Sequence, residues 1–268
     1  MSAKSSDKSQ NKDFPWWLLT LLALAAWAVY QFSSNPLYSQ LLNTLSKGLW
    51  ITLYVSLISF ALASFLGIGL AVASLSNSLL LRQCARFYIE VIRGVPMMVL
   101  LLYVAFVLAP ALVMLWNSMV EPLGLGSVKS RDFSMLWRAV LALCIGYSAF
   151  IAEVFRAGLQ SVDEGQIEAA KSLGLNRWLR FRHIVFPQAF RTILPPLGND
   201  FVAMVKDSSL VSVLGVADIT QLGKVTAAGN FRYFETYNMV AILYLSMTVL
   251  LSIVLKRIEN KMRDAHKG

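Results

Sequence analysis

Long uncharged stretches alternate with polar segments along the chain, and this pattern predicts helices that cross a membrane. The cleanest stretches lie at 14–32, 49–73, 94–116 and 236–255. A helix needs about 20 mostly apolar residues to cross the ~30 Å hydrocarbon core of a bilayer. Each stretch has about that length, so together they predict four membrane-spanning helices.

Two further stretches are interrupted by charge. Residues 139–152 are uncharged but would reach only about 21 Å as a helix, so we expect this helix to continue through Glu153. The other stretch, 195–216, is mostly apolar but contains three charged residues: Asp200, Lys206 and Asp207. The predicted fold class is therefore all-α, a polytopic membrane bundle of six transmembrane helices.

Lys and Arg are unevenly distributed between the predicted helices. If the N-terminus is inside, the inner segments hold 17 of the 24 basic residues. These segments are 1–15, 74–93, 156–195 and 256–268. Because positive residues collect in cytoplasmic loops, both termini are expected in the cytoplasm.

The composition agrees with a membrane protein. Hydrophobic residues make up 57% of the chain and charged residues only 15%, whereas about 25% of a soluble domain is charged. The net charge of +9 does not indicate a nucleic-acid partner, because the basic residues lie between apolar stretches. Cys84 and Cys144 provide no disulfide framework. A small-residue pattern at 23–25 lies inside the first apolar stretch, which favours an uncleaved helix over a signal peptide.

The long inner segment before residue 195 is predicted to form a hairpin of two short helices. Asp163 is placed to cap the first helix. Gly174 ends it at a position that favours left-handed backbone. Asn176 is placed to cap the second helix, 177–186, which is expected to stop at Pro187.

The residues alone leave two interpretations of this hairpin. It lies on the membrane surface with its arginines on lipid phosphates, or it presents a smooth helix face to a partner protein. Ala169 and Ala170 are expected to leave one face of the first helix smooth, where a partner could approach closely, and the residues alone do not decide between the two interpretations.

Six positions of the hairpin have the spacing E-A-A-x3-G-x9-I-x2-P: Glu168, Ala169, Ala170, Gly174, Ile184 and Pro187. This pattern resembles the EAA loop of ABC importer permeases. The segment 88–96 resembles the signature Y-x-E-x-x-R-G-x-P of permeases for polar amino acids. Its matching positions include Glu90, Arg93, Gly94 and Pro96. The resemblance covers about 45–263, and glutamine, histidine and arginine permeases are nearest in character.

The resemblance implies a five-helix membrane domain at 45–258 with a coupling loop at 159–190. It implies that two such subunits pair, the second being another copy of this chain or a related permease. Two ATP-binding subunits, which bind ATP and Mg, would dock on the cytoplasmic side. An extracytoplasmic binding protein, periplasmic or lipid-anchored, would deliver a polar amino acid. The chain would be a multi-pass protein of the bacterial inner membrane, in contact with membrane lipid.

Some segments lie outside the family pattern. A polar cytoplasmic tail at 1–13 precedes an additional N-terminal membrane helix and outer loop at 14–44. A long outer segment occupies 117–137, and a basic cytoplasmic tail follows at 259–268.

Nothing in the sequence indicates catalysis or a cofactor held by this chain. The stretch 124–130 superficially resembles a phosphate-binding loop but lacks the glycine before its lysine. His183 and His266 are the only histidines and have no metal-ligand spacing. We therefore expect no enzyme activity, no metal and no cofactor in this chain, and energy must come from a partner or an ion gradient.

Two mechanisms remain open. In the first, partner ATPases push the loop helix and switch the bundle between inward-open and outward-open states. In the second, an ion-coupled secondary transporter, four charged residues form a relay: Glu153, Asp200, Lys206 and Asp207. The second mechanism leaves the EAA loop unexplained, and no inverted repeat is visible in the sequence.

In the first mechanism the substrate path has five candidate residues: Glu153, Asn199, Asp200, Lys206 and Asp207. Asp200 and Asp207 are seven residues apart and share a helix face, whereas Lys206 lies about 100° from Asp207. A competing interpretation pairs Lys206 with an acid on a neighbouring helix. Glu90 and Arg93, three residues apart at the inner mouth, favour an intrahelical pair or a dimer contact.

Overall fold

The computed structural model describes residues 34–123 and 126–264, together with isolated positions between 16 and 30. The predicted tail at 1–13 and most of the predicted helix at 14–32 lie outside the described residues. The chain divides into two units, residues 1–43 and 44–268, and the fold below concerns the second. The described part is helical and contains no strand, as the sequence predicts.

The helices follow one another in chain order. They are α1 (Pro36–Ser74), α2 (Leu79–Gly94), α3 (Met97–Val120), α4 (Met135–Gln160), α5 (Glu164–Ser172), α6 (Arg177–Arg180), α7 (Phe186–Asp207), α8 (Ile219–Asn230) and α9 (Tyr233–Asp264). Short 3-10 turns lie at Glu121–Leu123, Ser130–Asp132 and Ser208–Leu214.

Within the part of the chain that the structure describes, α1, α3, α4 and α9 are long and apolar enough to cross a membrane. They contain most of the residues in the predicted stretches 49–73, 94–116, 139–152 and 236–255. As expected from the shortness of its uncharged stretch, α4 continues through Glu153 to Gln160. The predicted span at 195–216 is built differently, because α7 ends at Asp207 and a 3-10 turn follows it.

The central helix of the bundle is α4. In its most apolar stretch 67% of the residues are buried, against 22% to 33% for the other three apolar helices. Neighbouring helices approach it closely where its side chains are small. A Cβ atom at Gly158 would clash with Ile193 of α7, so α4 and α7 are in near-backbone contact at the end that carries the hairpin.

A proline separates α2 from α3. The preceding residue, Val95, is extended, with φ −96° and ψ 131°, because the ring of Pro96 disfavours helical backbone before it. The helix therefore ends at Gly94 and restarts at Met97. The segment resembling the permease signature thus forms the junction between these two helices.

The predicted stop of the second hairpin helix at Pro187 is wrong. A π-helical turn at Phe181–Val185 joins α6 to α7, and Pro187 lies in the first turn of α7. A proline normally breaks a helix because its ring clashes with the carbonyl four residues earlier. In the π turn the N–H of Phe186 donates to the carbonyl of Phe181, five residues back, and this wider turn accommodates the proline. The same arrangement precedes Pro110 in α3.

Candidate functional site

The two helices of the hairpin begin at the predicted caps. The carboxylate of Asp163 accepts from the N–H of Gln166 at 3.3 Å, at the start of α5. The side chain of Asn176 accepts from the N–H of Leu179 at 2.9 Å, at the start of α6. Each cap satisfies a backbone donor that has no partner within its own helix, so local sequence defines both starts.

Gly174 closes the end of α5 in left-handed backbone, with φ +75°. Its own N–H donates to the carbonyl of Lys171 at 2.9 Å, and the N–H of Leu175 donates to the carbonyl of Ala170 at 3.1 Å. These two bonds form a Schellman motif, which needs a residue that tolerates positive φ. The direction in which the chain leaves α5 therefore depends on this glycine.

The six motif positions do not share one environment. Ala170 is buried, with 2% of its surface exposed, whereas Glu168 and Ala169 are exposed. The prediction that both alanines leave one smooth outer face is therefore wrong, because adjacent helical residues point about 100° apart. Ile184 and Pro187 are half-buried, and Gly174 is exposed.

The hairpin is attached to the rest of the bundle on one side. Ile167 of α5 packs against a buried cluster formed by Val162, Ala189 and Ile193. The amide of Gln188 also donates to the side chain of Gln166 at 2.6 Å, linking α5 to α7. A displacement of α5 would therefore be transmitted directly to α7.

A cavity of about 280 Å³ lies between α3, α4 and α7 and contains two acids. Asp200 and Asp207 both line it, as their spacing of seven residues predicts. The hydroxyl of Tyr147 donates to the carboxylate of Asp207 at 2.8 Å. One carboxylate oxygen of Asp200 is buried without a hydrogen-bond partner. The remaining lining is mostly apolar, from Ile92, Val95, Met97, Leu100, Gly146, Phe150 and Ala203.

The other candidate path residues lie elsewhere. Lys206 is exposed and lines a separate groove with Lys256 of α9. Within the described residues Lys206 has no acid at ion-pair distance, so the interpretation that pairs it with a neighbouring helix is not met there. Glu153 is paired with Arg156 one turn later on α4 and does not line the acidic cavity. Asn199 is exposed.

The predicted intrahelical pair of Glu90 and Arg93 does not form, and the other interpretation, a dimer contact, stays a prediction. Instead the guanidinium carbon of Arg93 lies 5.6 Å from the ring centre of Phe150 on α4, a cation–π contact. Glu90 is exposed. Arg93 thus joins α2 to the wall of the acidic cavity, to which Phe150 also belongs.

Tyr147 was not predicted to belong to this cavity. A signal for it was present in the sequence, because a tyrosine inside an apolar stretch brings a hydroxyl that needs a partner when it is buried. The identity of that partner had no such signal, since Asp207 lies 60 residues further along the chain.

These features define a class of protein: a multi-pass helical membrane protein with a capped hairpin on one side and an acid-lined cavity between its helices. No group of His, Cys, Asp and Glu in the described residues could hold a metal ion. The chain belongs to the family described as binding-protein-dependent transport system inner membrane component, which it matches over residues 63–264.

Individual relatives agree with this assignment. The chain is 34% identical over 219 residues to the glutamine transport system permease protein GlnP of Escherichia coli strain K12, covering 82% of this chain and 93% of that protein. It is 35% identical over 224 residues to the probable amino-acid permease protein YxeN of Bacillus subtilis strain 168, covering 84% and 93%. A solved amino acid ABC transporter with histidines is 34% identical, with a TM-score of 0.70, and covers 86% of this chain and 98% of its own.

The chain is therefore the permease component of an ABC importer in the inner membrane. It is not an enzyme itself, because ATP is hydrolysed by a separate subunit of such systems. Its partners include ATPase subunits and a substrate-binding protein. The ion-coupled alternative is not favoured, since the relatives and the structural neighbour are ABC components.

Proposed function

We propose that this permease translocates polar amino acids that an extracytoplasmic binding protein delivers. The names of its relatives, among them a glutamine permease and an amino-acid permease, support this substrate class. Two ATP-binding subunits bind ATP and Mg and drive transport, and the permease works as a pair, with a second copy or a related chain. This chain itself holds no cofactor.

The topology we propose has six membrane helices, both termini in the cytoplasm and the hairpin at the cytoplasmic face. The length of α7 supports its role as a span, because its 22 residues would extend about 33 Å, enough for the hydrocarbon core. The N-terminal helix at 14–32 is the additional span before the five-helix core. The excess of Lys and Arg in the inner segments supports the orientation.

The observation that carries the coupling role is the geometry of the hairpin. Its outer surface presents Glu168 and Ala169 from a helix capped at both ends. Its inner surface is joined to α7 through the bond between Gln166 and Gln188. An ATPase subunit that moves α5 would therefore move the helix that carries both acids of the cavity.

The acidic cavity is the proposed substrate path within this subunit. Its two carboxylates attract the ammonium group of an amino acid, or the charged side chain of a cationic one, and its described lining contains no Lys, Arg or His. The unpartnered oxygen of Asp200 is the acceptor still free to bind such a group, because buried acceptors are stabilised by a donor.

The test is ATP hydrolysis by the complete transporter in liposomes. The permease would be purified with its ATPase subunits and assayed with each polar amino acid and the binding protein. We expect one amino acid or a small group to stimulate hydrolysis. Asp200→Asn should weaken that stimulation, and Asn199→Ala, an exposed neighbour, serves as the matched control. Uptake that follows an ion gradient without any ATPase subunit would contradict the proposal.

A further inference from the structure

A second cavity, of about 300 Å³, lies between α7 and α9 at the end of the bundle that carries the hairpin. We call it the end cavity. It is separate from the acidic cavity, because the two have no lining residue in common. Six residues line it, three from each helix: Arg191, Leu194, Pro195, Glu259, Asn260 and Met262.

Helical spacing explains why the two sets of side chains meet. On α7, Arg191 and Gly198 are seven residues apart and share one face of the helix. On α9, Leu255, Glu259 and Met262 share a face in the same way. The two faces are in contact at Gly198, where a Cβ atom would lie 3.4 Å from Leu255 and 3.8 Å from Oε1 of Glu259. The carboxylate of Glu259 is therefore held close to α7.

The end cavity contains two opposite charges that do not pair with each other. Arg191 and Glu259 both line it, yet within the described part of the chain they form no ion pair. Arg191 is exposed and Glu259 is half-buried, so both remain accessible to a small ligand. The amide of Asn260 borders the same space and offers a further polar group.

A free amino acid carries the complementary pair of charges on one carbon atom. Its carboxylate accepts two parallel hydrogen bonds from a guanidinium group. Its ammonium group donates to a carboxylate and to an amide oxygen. The three remaining lining residues are apolar and suit the aliphatic part of the ligand. The volume of the cavity is at the lower end of the range for small-molecule sites, so a ligand of this size fits.

We propose that the end cavity binds a free amino acid from the cytoplasm, with the carboxylate at Arg191 and the ammonium group at Glu259. The amino acids that the transporter releases on that side are ligands of this chemistry. The site is distinct from the substrate path in the acidic cavity. It rests on the proposed function only in placing this end of the bundle in the cytoplasm.

A bound amino acid would join α7 to α9 beside the hairpin. Arg191 lies three residues after Gln188, whose side chain bonds to Gln166 of α5. The ligand therefore acts on the part of α7 to which the hairpin is attached. Movement of α7 away from α9 would have to break the contact of the ligand with Arg191 or with Glu259. A filled site thus stabilises the present arrangement of the two helices and slows the ATP-driven cycle.

Thermal unfolding of the complete transporter in detergent, without the binding protein, tests the site directly. Free L-glutamine, and L-arginine in a second titration, should raise the melting temperature. Arg191→Gln and Glu259→Gln should each raise the concentration for half of the maximal shift about tenfold. Arg257→Gln, at an exposed arginine of α9 that does not line the cavity, is the matched control. Asp200→Asn, which changes only the acidic cavity, should leave the shift unaltered.

Ligand analogues show which charge each residue binds. L-glutamine methyl ester lacks the charged carboxylate, and N-acetyl-L-glutamine lacks the charged ammonium group, so both should bind wild type more weakly than L-glutamine. In Arg191→Gln the ester should bind as well as L-glutamine, and in Glu259→Gln the N-acetyl compound should do so. If Arg191 and Glu259 only pair with each other, the variants would change the melting temperature without changing the order of the three ligands, and the proposal would be overturned.

The effect on the cycle is measured as ATP hydrolysis in nanodiscs with a saturating amount of the loaded binding protein. Excess free amino acid should lower hydrolysis by wild type, and Arg191→Gln should need about ten times more of it. Hydrolysis by wild type that free amino acid leaves unchanged would refute the effect on the cycle. A melting shift that Asp200→Asn abolishes and Arg191→Gln preserves would assign the binding to the acidic cavity.

A failure of the proposed function gives a different result. In that case the loaded binding protein would not stimulate hydrolysis by wild type at all, while the titrations without binding protein would still decide whether the end cavity binds an amino acid.

Discussion

Replacing Gly174 by alanine tests how far the direction in which the chain leaves α5 depends on one backbone angle. A Cβ atom at this position would meet no atom within 4 Å, so the substitution introduces no collision. What it does introduce is the strain of an L-residue at φ +75°. That strain costs about 1–2 kcal/mol. The hairpin can relieve it only by leaving the Schellman geometry.

The expected effect follows from this magnitude. A cost of 1–2 kcal/mol corresponds to about a 5- to 30-fold fall in the population of the present hairpin geometry relative to an alternative. Gly174→Asn should lie between wild type and Gly174→Ala, because Asn adopts left-handed backbone more readily than Ala. The measurement is amino-acid uptake per ATP hydrolysed in liposomes. We expect this ratio to fall in the order wild type, Asn, Ala.

A matched control exists elsewhere in the chain. Gly215 has φ +76°, and a Cβ atom added there would also meet no atom within 4 Å, but this glycine closes the 3-10 turn after α7. Gly215→Ala therefore adds similar strain away from the hairpin. It should affect stability without changing uptake per ATP. If both alanine variants change the ratio equally, or if Gly174→Ala leaves it unchanged, the proposed role of the turn is refuted.

Three further predictions concern separate contacts. Tyr147→Phe removes the hydroxyl that donates to Asp207, so the stabilisation of this carboxylate should fall by about 1–3 kcal/mol. The stimulation of ATP hydrolysis by the transported amino acid should therefore weaken, and unchanged stimulation would count against the cavity. Gly48→Ala would place a Cβ atom 2.6 Å from the backbone of Asp218, so the melting temperature of the protein should fall. An unaltered melting curve would contradict the packing of α1 against the start of α8. Glu168→Lys should preserve membrane insertion and ATP hydrolysis while abolishing uptake, and normal uptake would argue against docking at α5.

Local features of the hairpin were predictable because their causes are local. Asp163 and Asn176 are caps for reasons contained in a few residues of sequence. Gly174 indicates a left-handed helix end in the same way. The shared face of Asp200 and Asp207 follows from helical spacing alone.

Features that depend on packing or on an unusual hydrogen-bond pattern were not predictable. The continuation of the helix through Pro187 requires a π turn, which no residue between Phe181 and Val185 signals by type. Arg93 could have paired with Glu90, and only the position of α4 offers it Phe150 instead. The first feature depends on a hydrogen-bond pattern wider than that of an α-helix, and the second depends on a residue of another helix.

The most direct test of docking at α5 is a cross-link between the hairpin and the ATPase subunit. In a variant without Cys84 and Cys144, a single cysteine would replace Ala169, which is exposed on α5. A second variant would carry its cysteine at Phe186, which is exposed at the start of α7. We expect the cysteine at 169 to cross-link to the ATPase subunit with a yield that ATP changes, and the cysteine at 186 not to cross-link. Cross-linking from 186 and not from 169 would contradict docking at α5.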